Sequence, residues 1–256
     1  MIISKKRKFI FIRGIKTGST SLQSALSPYG EITKKGLGYK LLRRLPLINR
    51  HWRYTSKIGA PHLSTARIKE LLPFELFDTA LKFGIIRDPL AWNLSVYKHW
   101  SRIYRDSEHQ KVPDSVRSFE DFLLFRKDEY LPLQMLHYVD LAGDVMIDDL
   151  GKFEELEAYQ QSLEGRLNLT LNVEYLNQSP DRQVVTPTFK ERSLVERLCH
   201  IDYEVYNTLH ICAGRQQIEI ALAGFKSELS HELSRAGGLS YDPWVFCAYK
   251  NRKHYT

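Results

Sequence analysis

A strand, a glycine loop and a helix start follow one another in residues 8–26, and this stretch constrains the fold more than any other part of the chain. Its apolar run Phe9–Ile12 is unbroken, which is typical of a strand buried on both faces of a parallel sheet. Gly14 and Gly18 then permit a tight turn, and apolar residues at helical spacing begin at Leu22. The stretch therefore predicts one strand-loop-helix unit of an α/β sheet.

The loop of this unit has the composition of an anion site. A lysine and four hydroxyl residues surround a helix N-terminus, where free N–H groups favour phosphate or sulfate; they are Lys16, Thr17, Ser19, Thr20 and Ser21. An ordinary turn capped by Ser or Thr is the alternative interpretation. The loop is not a Walker A sequence, because the Walker lysine directly follows the second glycine, whereas Lys16 precedes Gly18.

Residues 82–100 predict a second unit of the same kind. Phe83–Ile86 is another buried-strand run, and Pro89 suits the first turn of the helix that follows. Arg87 is thus expected at the carboxyl end of a strand, where open parallel sheets bind ligands. Ser95 lies two turns into the helix. A helix-capping ion pair is the alternative role for Arg87.

The remaining stretches predict mainly helices. We expect a helix capped by Ser64 or Thr65 and ended by Pro73, two amphipathic helices in 118–140, a short strand at Asp144–Ile147, a helix from Phe153, one long helix over 188–210 and helical structure over 218–233.

Positive charge is concentrated near the N-terminus. Residues 1–60 hold fourteen Lys or Arg and the single acid Glu31, a local charge of +13 in a chain of net charge +7, which leaves −6 for the rest. An anionic ligand should approach this third of the chain, although a solvated basic face would look the same. The arginines and aromatic residues of 28–60 are candidates for an acceptor groove.

The two units resemble the two nucleotide-binding motifs of sulfotransferases that use 3'-phosphoadenosine 5'-phosphosulfate (PAPS), in particular the carbohydrate-type, bacterial-like family. The family's first loop reads roughly F-I-H-I-P-K-T-[AG]-G-T-S, and this chain departs from it at Arg13, Gly14 and Ile15. Its second motif reads roughly R-[ND]-P-x-x-R-x-x-S-x-Y, and Trp92 stands at the position of the second arginine.

The resemblance implies a fold and a domain organisation. The implied fold is α/β, a three-layer P-loop-like fold with a central parallel sheet and helices on both faces. The resemblance covers about residues 8–210. It implies that the whole chain, residues 1–256, is a single sulfotransferase domain. Residues 211–256 form a C-terminal helical extension and a basic aromatic tail with no counterpart in the family.

The resemblance also implies the site. PAPS would be the co-substrate, with no metal, and its sulfuryl group would pass to a hydroxyl acceptor, a carbohydrate or another small molecule. The implied catalytic residues are Lys16, at the bridging oxygen, and His62, as the base. The implied cofactor-binding residues are Lys16, Thr17, Gly18, Ser19, Thr20, Ser21, Arg87 and Ser95. Asn177 is a further candidate contact, and His51 and Glu31 are the next candidates for the base.

Two other classes of function stay open. A P-loop small-molecule kinase would share the fold but would need a Walker A lysine and Mg²⁺ ligands. A non-catalytic binder of acidic glycans or nucleic acid would use the same basic region, although no nucleic-acid-binding signature accompanies it. The three cysteines lack C-x-x-C spacing, and no apolar run is long enough for a membrane span, so we expect a cytoplasmic protein. The sequence does not indicate an oligomeric state.

Overall fold

A five-stranded mixed sheet forms the centre of this α/β protein in the computed structural model. The structure describes residues 1–31, 62–105, 116–129, 132–172 and 186–238. The strands follow chain order across the sheet: β1 (Ile2–Ser4), β2 (Phe9–Phe11), β3 (Leu81–Ile86), β4 (Asp149–Lys152) and β5 (Cys212–Gly214).

Only the inner strands of this sheet are parallel. β3 pairs in parallel with β2 on one side and with β4 on the other. β1 and β5 pair antiparallel at the two edges. The α/β class is therefore confirmed, whereas the expectation of a wholly parallel sheet is wrong. Each edge strand has three residues, too few to show a period in the sequence.

Successive residues of the inner strands contribute to two separate apolar clusters. Phe9 and Phe11 belong to one cluster, and Ile10 and Ile12 belong to the other. Because side chains alternate across a strand, the two clusters lie on opposite faces of the sheet. This two-sided burial explains why the strand is an unbroken apolar run.

Helices of 6–17 residues connect and cover the strands. They are α1 (Ser19–Leu26), α2 (Thr65–Leu71), α3 (Phe74–Thr79), α4 (Pro89–Arg105), α5 (Phe119–Glu129), α6 (Leu156–Leu167), α7 (Phe189–Leu198), α8 (His200–Thr208), α9 (Arg215–Leu222) and α10 (Lys226–Arg235). The predicted cap of α2 is confirmed, because the Ser64 side chain accepts a hydrogen bond from the Arg67 N–H. In the described part of the chain, no helix is long and apolar enough to cross a membrane.

The sequence misassigned the segment between α5 and α6. The second helix expected within 118–140 is only a 3₁₀ turn at Met135–His137. Every residue of 132–139 is buried, so the segment has no solvent face for an amphipathic helix. The strand expected at Asp144–Ile147 is a single bridge at Val145, and the real strand is β4, where Gly151 leaves room for the Tyr159 ring.

The helices predicted after residue 188 are interrupted. The expected long helix over 188–210 is two helices, α7 and α8, because the backbone of Cys199 leaves helical geometry (φ −116°, ψ 25°). Its buried thiol contacts the Pro132 carbonyl and the Asn93 amide, which fix this residue against neighbouring elements. Residues 211–256 were expected to be an extension, but β5 of this region pairs with β4 in the sheet. Ile218 and Leu229 of the same region belong to the larger apolar cluster.

Candidate functional site

The segments that form the candidate site follow the carboxyl ends of the three inner strands, at one edge of the sheet. β2 leads into the Arg13–Gly18 loop, β3 into Arg87 and β4 into Phe153. Because these strands are parallel, their carboxyl ends lie side by side. The structure thus brings together the two stretches that carry the sequence motifs.

The loop backbone takes two left-handed conformations. Gly18 has a φ of 71° and precedes α1, and Lys16 has a φ of 54°, which is unusual for a residue with a side chain. The Thr17 and Ser19 hydroxyls donate inward to the Gly14 carbonyl, at 3.3 and 2.9 Å. The hydroxyls of these two predicted ligands therefore hold the loop together and are not directed outward.

The N-terminus of α1 lacks the groups that usually satisfy it. No side chain caps it, and its first turn contains no acidic residue. Ser21 is buried, whereas Thr20 is half-buried and its hydroxyl accepts a hydrogen bond from Arg13 Nη2 at 2.8 Å. An anion at this end would gain the helix dipole and contacts with N–H groups of the first turn.

Arg13 is a cation of this site that sequence reasoning missed. Its Nε lies 3.3 Å from the Ser19 hydroxyl, so its guanidinium reaches over the first turn of α1 together with the Thr20 contact. Burial lowers the pKa of Arg13, and no described carboxylate forms an ion pair with it. The signal in the sequence was the departure from the family's histidine at this position.

Lys16 lies among other cations. Burial lowers its pKa, and the charges of Arg102 and Arg87 lower it further. Within the described residues, the Lys16 ammonium forms neither a hydrogen bond nor an ion pair with a carboxylate. Like charges held this close favour the binding of a multiply charged anion between them.

Arg87 connects the second stretch to the loop. Its Nη1 donates to the Lys16 carbonyl at 3.4 Å, and its Nε is buried without a hydrogen bond, 4.0 Å from Glu154 Oε1. Asp88 caps α4 instead, accepting from the Ala91 N–H at 2.8 Å, so Arg87 is not the capping residue. A quarter of the Arg87 side chain is exposed, which leaves the guanidinium accessible to a ligand.

Phe153 packs between the two stretches. A Cβ atom at Gly18 would lie 2.0 Å from the Phe153 ring, so only glycine fits there. The Arg87 guanidinium lies 4.7 Å from the centroid of the same ring. Glu154 accepts hydrogen bonds from the Asp88 N–H and the Tyr206 hydroxyl. Phe153 and Glu154 therefore both contact the residues of the site directly.

One face of α4 lies along the loop. The Trp92 indole, which replaces the family's second arginine, donates to the Ile15 carbonyl at 2.6 Å. Ser95, His99 and Arg102 follow Trp92 at helical spacing and share this face. Arg102 donates to His99 Nδ1 at 3.2 Å, which places the ring proton on Nε2. Burial, then Lys16 and Arg102, lower the pKa of His99 to about 4.

His62 lies behind the loop entrance. Its Nδ1 is 3.2 Å from the Arg13 carbonyl, so Nδ1 carries the proton and donates. Burial, with smaller effects from Arg13 and His137, lowers the pKa of His62 to about 2. So weak a proton acceptor favours a role in anchoring the loop over the predicted catalytic one.

The other candidates lie away from this edge. Glu31 accepts from the Lys5 and Lys6 amides at the turn between β1 and β2, at the opposite end of the sheet. His51 and Asn177 lie outside the described residues, as do the aromatic and basic residues of 32–61. Among the described residues, no group of three or more His, Cys, Asp or Glu is arranged to hold a metal ion.

Comparisons with family models, with curated proteins and with solved structures found no match for this chain.

Proposed function

We propose that the chain is a sulfotransferase that moves the sulfuryl group of PAPS to a hydroxyl acceptor, a carbohydrate or another small molecule. The observation that carries the proposal is the contact between Arg87 and the Lys16 carbonyl, at an uncapped helix N-terminus surrounded by cations. PAPS has anionic groups at both its 5' and 3' positions, and it would use both halves of such a site. The proposal also includes the three-layer P-loop-like arrangement that the sequence motifs imply.

The chemistry requires positioned charges more than covalent participation. The acceptor oxygen bonds to sulfur, the bond between sulfur and the bridging oxygen breaks, and 3'-phosphoadenosine 5'-phosphate leaves. Lys16 would neutralise the charge that grows on the bridging oxygen, and the N–H groups of the loop and of α1 would hold the 5' phosphate. Arg87 and Ser95 would hold the 3'-phosphate. The proton of the acceptor passes to a base. His62 is the sequence-derived candidate, but its lowered pKa favours an anchoring role, so the proposal does not depend on His62 as the base.

One contact bears on the alternative of a P-loop kinase. In a Walker A loop the hydroxyl two residues after the second glycine binds Mg²⁺. The equivalent hydroxyl here, that of Thr20, accepts from the Arg13 guanidinium, and Ser19 stands where the Walker lysine would be. A protein cation therefore lies at the hydroxyl that a metal would use in a kinase.

The decisive experiment follows labelled sulfate from PAPS onto a panel of sugars, phenols and other hydroxyl compounds, alongside ATP with Mg²⁺ on the same panel. We expect transfer from PAPS and none from ATP. Transfer of phosphate from ATP alone would establish a kinase. Binding of sulfated glycans without transfer from either donor would establish a non-catalytic binder.

A further inference from the structure

Gln134 holds the backbone of Arg87 from both sides. Its Oε1 accepts from the Arg87 N–H at 3.0 Å, and its Nε2 donates to the Arg87 carbonyl at 2.8 Å. Gln134 is 2 % exposed, so water does not compete for these bonds. One buried amide thus satisfies both polar backbone groups of the residue that follows β3.

Asp202 in turn fixes Gln134. This fully buried residue of α8 accepts from the Gln134 N–H at 2.7 Å with Oδ2 and from the Met135 N–H at 3.0 Å with Oδ1. Burial of a carboxylate is costly unless its oxygens are hydrogen-bonded, and these two amides supply the bonds. A helix from the C-terminal half of the chain is therefore connected through Gln134 to the end of β3.

The connection determines where the Arg87 guanidinium can lie. With the backbone held, the side chain runs between the Phe153 ring and the Lys16 carbonyl. A charged fork recognises a phosphate only when it is held within about 0.5 Å of the required geometry. A backbone free to rotate at the end of a strand would lose that alignment.

We propose that Gln134, held by Asp202, is a positioning residue that gives the site its preference for nucleotides carrying a 3'-phosphate. The inference rests on the proposed function, because it takes Arg87 as the group that meets that phosphate. Neither residue lies in the two sequence motifs, and the segment of Gln134, directly before the 3₁₀ turn, was expected to be a helix.

The test compares Gln134→Met with Tyr138→Phe. Methionine keeps the size of glutamine and loses both hydrogen bonds to Arg87. Tyr138→Phe is the matched control, because it removes one buried hydrogen bond, 2.9 Å to the Ile85 carbonyl, on the same turn but not at Arg87. Titration calorimetry measures the affinity of each protein for 3'-phosphoadenosine 5'-phosphate and for 5'-AMP, and thermal unfolding measures stability.

In Gln134→Met we expect the preference for the 3'-phosphorylated nucleotide to fall by about tenfold or more, the effect of losing one charged hydrogen bond. Affinity for 5'-AMP should change little, and Tyr138→Phe should keep the wild-type preference. An equal loss for both nucleotides in Gln134→Met would overturn the inference and leave Gln134 a structural residue.

A second variant covers the case in which Gln134→Met does not fold. Gln134→Leu buries no charge and offers neither an acceptor for the Arg87 N–H nor a donor for the Arg87 carbonyl. We expect it to lose the preference as well, and a full wild-type preference in this variant would overturn the inference. Wild-type protein that binds neither nucleotide would overturn the proposed function itself, and the inference with it.

Discussion

Arg87 donates a hydrogen bond to the carbonyl of Lys16 at 3.4 Å, across 71 residues of sequence. The contact joins the two stretches that carry the motifs, at the edge of the sheet where β2 and β3 end. It also places two cations next to each other, which is one reason that the pKa of Lys16 is lowered.

Arg87→Met should remove selectivity for the 3'-phosphate. Loss of a charged hydrogen bond to phosphate costs about 1.5 to 3 kcal/mol, so affinity for 3'-phosphoadenosine 5'-phosphate should fall about 10- to 150-fold. Affinity for 5'-AMP should stay near the wild-type value. Calorimetric titration of both nucleotides measures this, with the exposed Arg197→Met as the control. Equal affinities of wild-type protein for the two nucleotides would refute the assignment of Arg87.

Lys16→Ala should lower kcat far more than it weakens binding of 3'-phosphoadenosine 5'-phosphate, because charge on the bridging oxygen grows only as the bond breaks. The ammonium is the active form, and its pKa is below that of an ordinary lysine. The value of kcat/KM, which reports the free enzyme, should therefore begin to fall at a pH below the ordinary lysine pKa of 10.5. Steady-state rates across that range measure both effects, with the exposed Lys69→Ala as the control. A larger loss in binding than in kcat would make Lys16 a simple phosphate clamp.

Arg13→Met should lower the affinity for 3'-phosphoadenosine 5'-phosphate and the affinity for 5'-AMP by the same factor, about 10- to 150-fold. The reason is that Arg13 lies at the N-terminus of α1 and both nucleotides carry the 5' phosphate. The ratio of the two affinities should stay constant, unlike in Arg87→Met. Arg7→Met is the matched control, since Arg7 bonds to the Asn168 carbonyl near the start of β2, at the other end of the sheet. Unchanged affinities in Arg13→Met would exclude Arg13 from the site.

Two substitutions of His62 distinguish catalysis from anchoring. Asparagine can still donate to the Arg13 carbonyl but cannot accept a proton, whereas alanine can do neither. Because the pKa of His62 is about 2, we expect His62→Asn to keep most of the turnover, and we expect no rise in the wild-type rate through pH 6.5 from this residue. His62→Ala should lose most of the turnover, because it removes the hydrogen bond to the Arg13 carbonyl. A loss of about 10²- to 10⁴-fold in kcat in both variants, with nucleotide binding intact, would establish His62 as the base.

Asp202 should make stability depend on pH. Burial raises its pKa to about 7, so between about pH 4 and 7 the folded protein holds a proton that the unfolded chain has released. From this group alone, the free energy of unfolding should fall by up to about 1.4 kcal/mol per pH unit as pH rises through this window. His62, His99 and His137 contribute in the opposite direction below about pH 6.5, because their lowered pKa values leave them neutral in the folded protein while they are protonated in the unfolded chain. Chemical denaturation at several pH values should show that the free energy of unfolding rises more steeply with pH, or falls less steeply, in Asp202→Asn than in the wild type.

The other charged and titratable groups near Asp202 do not contribute a fall in stability over this window. His137, on the turn that Asp202 contacts, has its pKa lowered to about 4 by burial and therefore acts in the opposite direction. Burial raises the pKa of Cys199 and of Tyr138 far above the window, and Arg126 stays charged throughout. The exposed Asp144→Asn serves as the control and should keep the wild-type slope. A slope in Asp202→Asn equal to that of the wild type would show that Asp202 does not titrate in this range.

Local sequence chemistry was sufficient for the parts of the fold that have a period or a distinctive residue. Phe9–Ile12 is apolar throughout because the strand is buried on both faces, and Ser64 precedes α2 because its hydroxyl caps the first turn. The glycine loop and the place of Arg87 at the end of β3 follow from the same kind of pattern. Each of these features depends on residues close together in the chain.

Tertiary structure alone decided which side chains meet at the site. The Thr17 and Ser19 hydroxyls donate to the Gly14 carbonyl, and Arg13 donates to the Thr20 hydroxyl. These contacts form because the loop folds back on itself, which the spacing of residues in the sequence does not predict. Phe153 reaches Gly18 only because β4 lies beside β3.

The same limit applies to Gln134, Asp202 and the edge strands β1 and β5. These features depend on contacts between distant segments, and the segment around Gln134 is buried on every side, which removes the polar and apolar alternation that sequence interpretation needs. The sequence by itself therefore determined the two motifs and the strands that carry them, while the packing of α8, β4 and the 3₁₀ turn determined how their side chains are held.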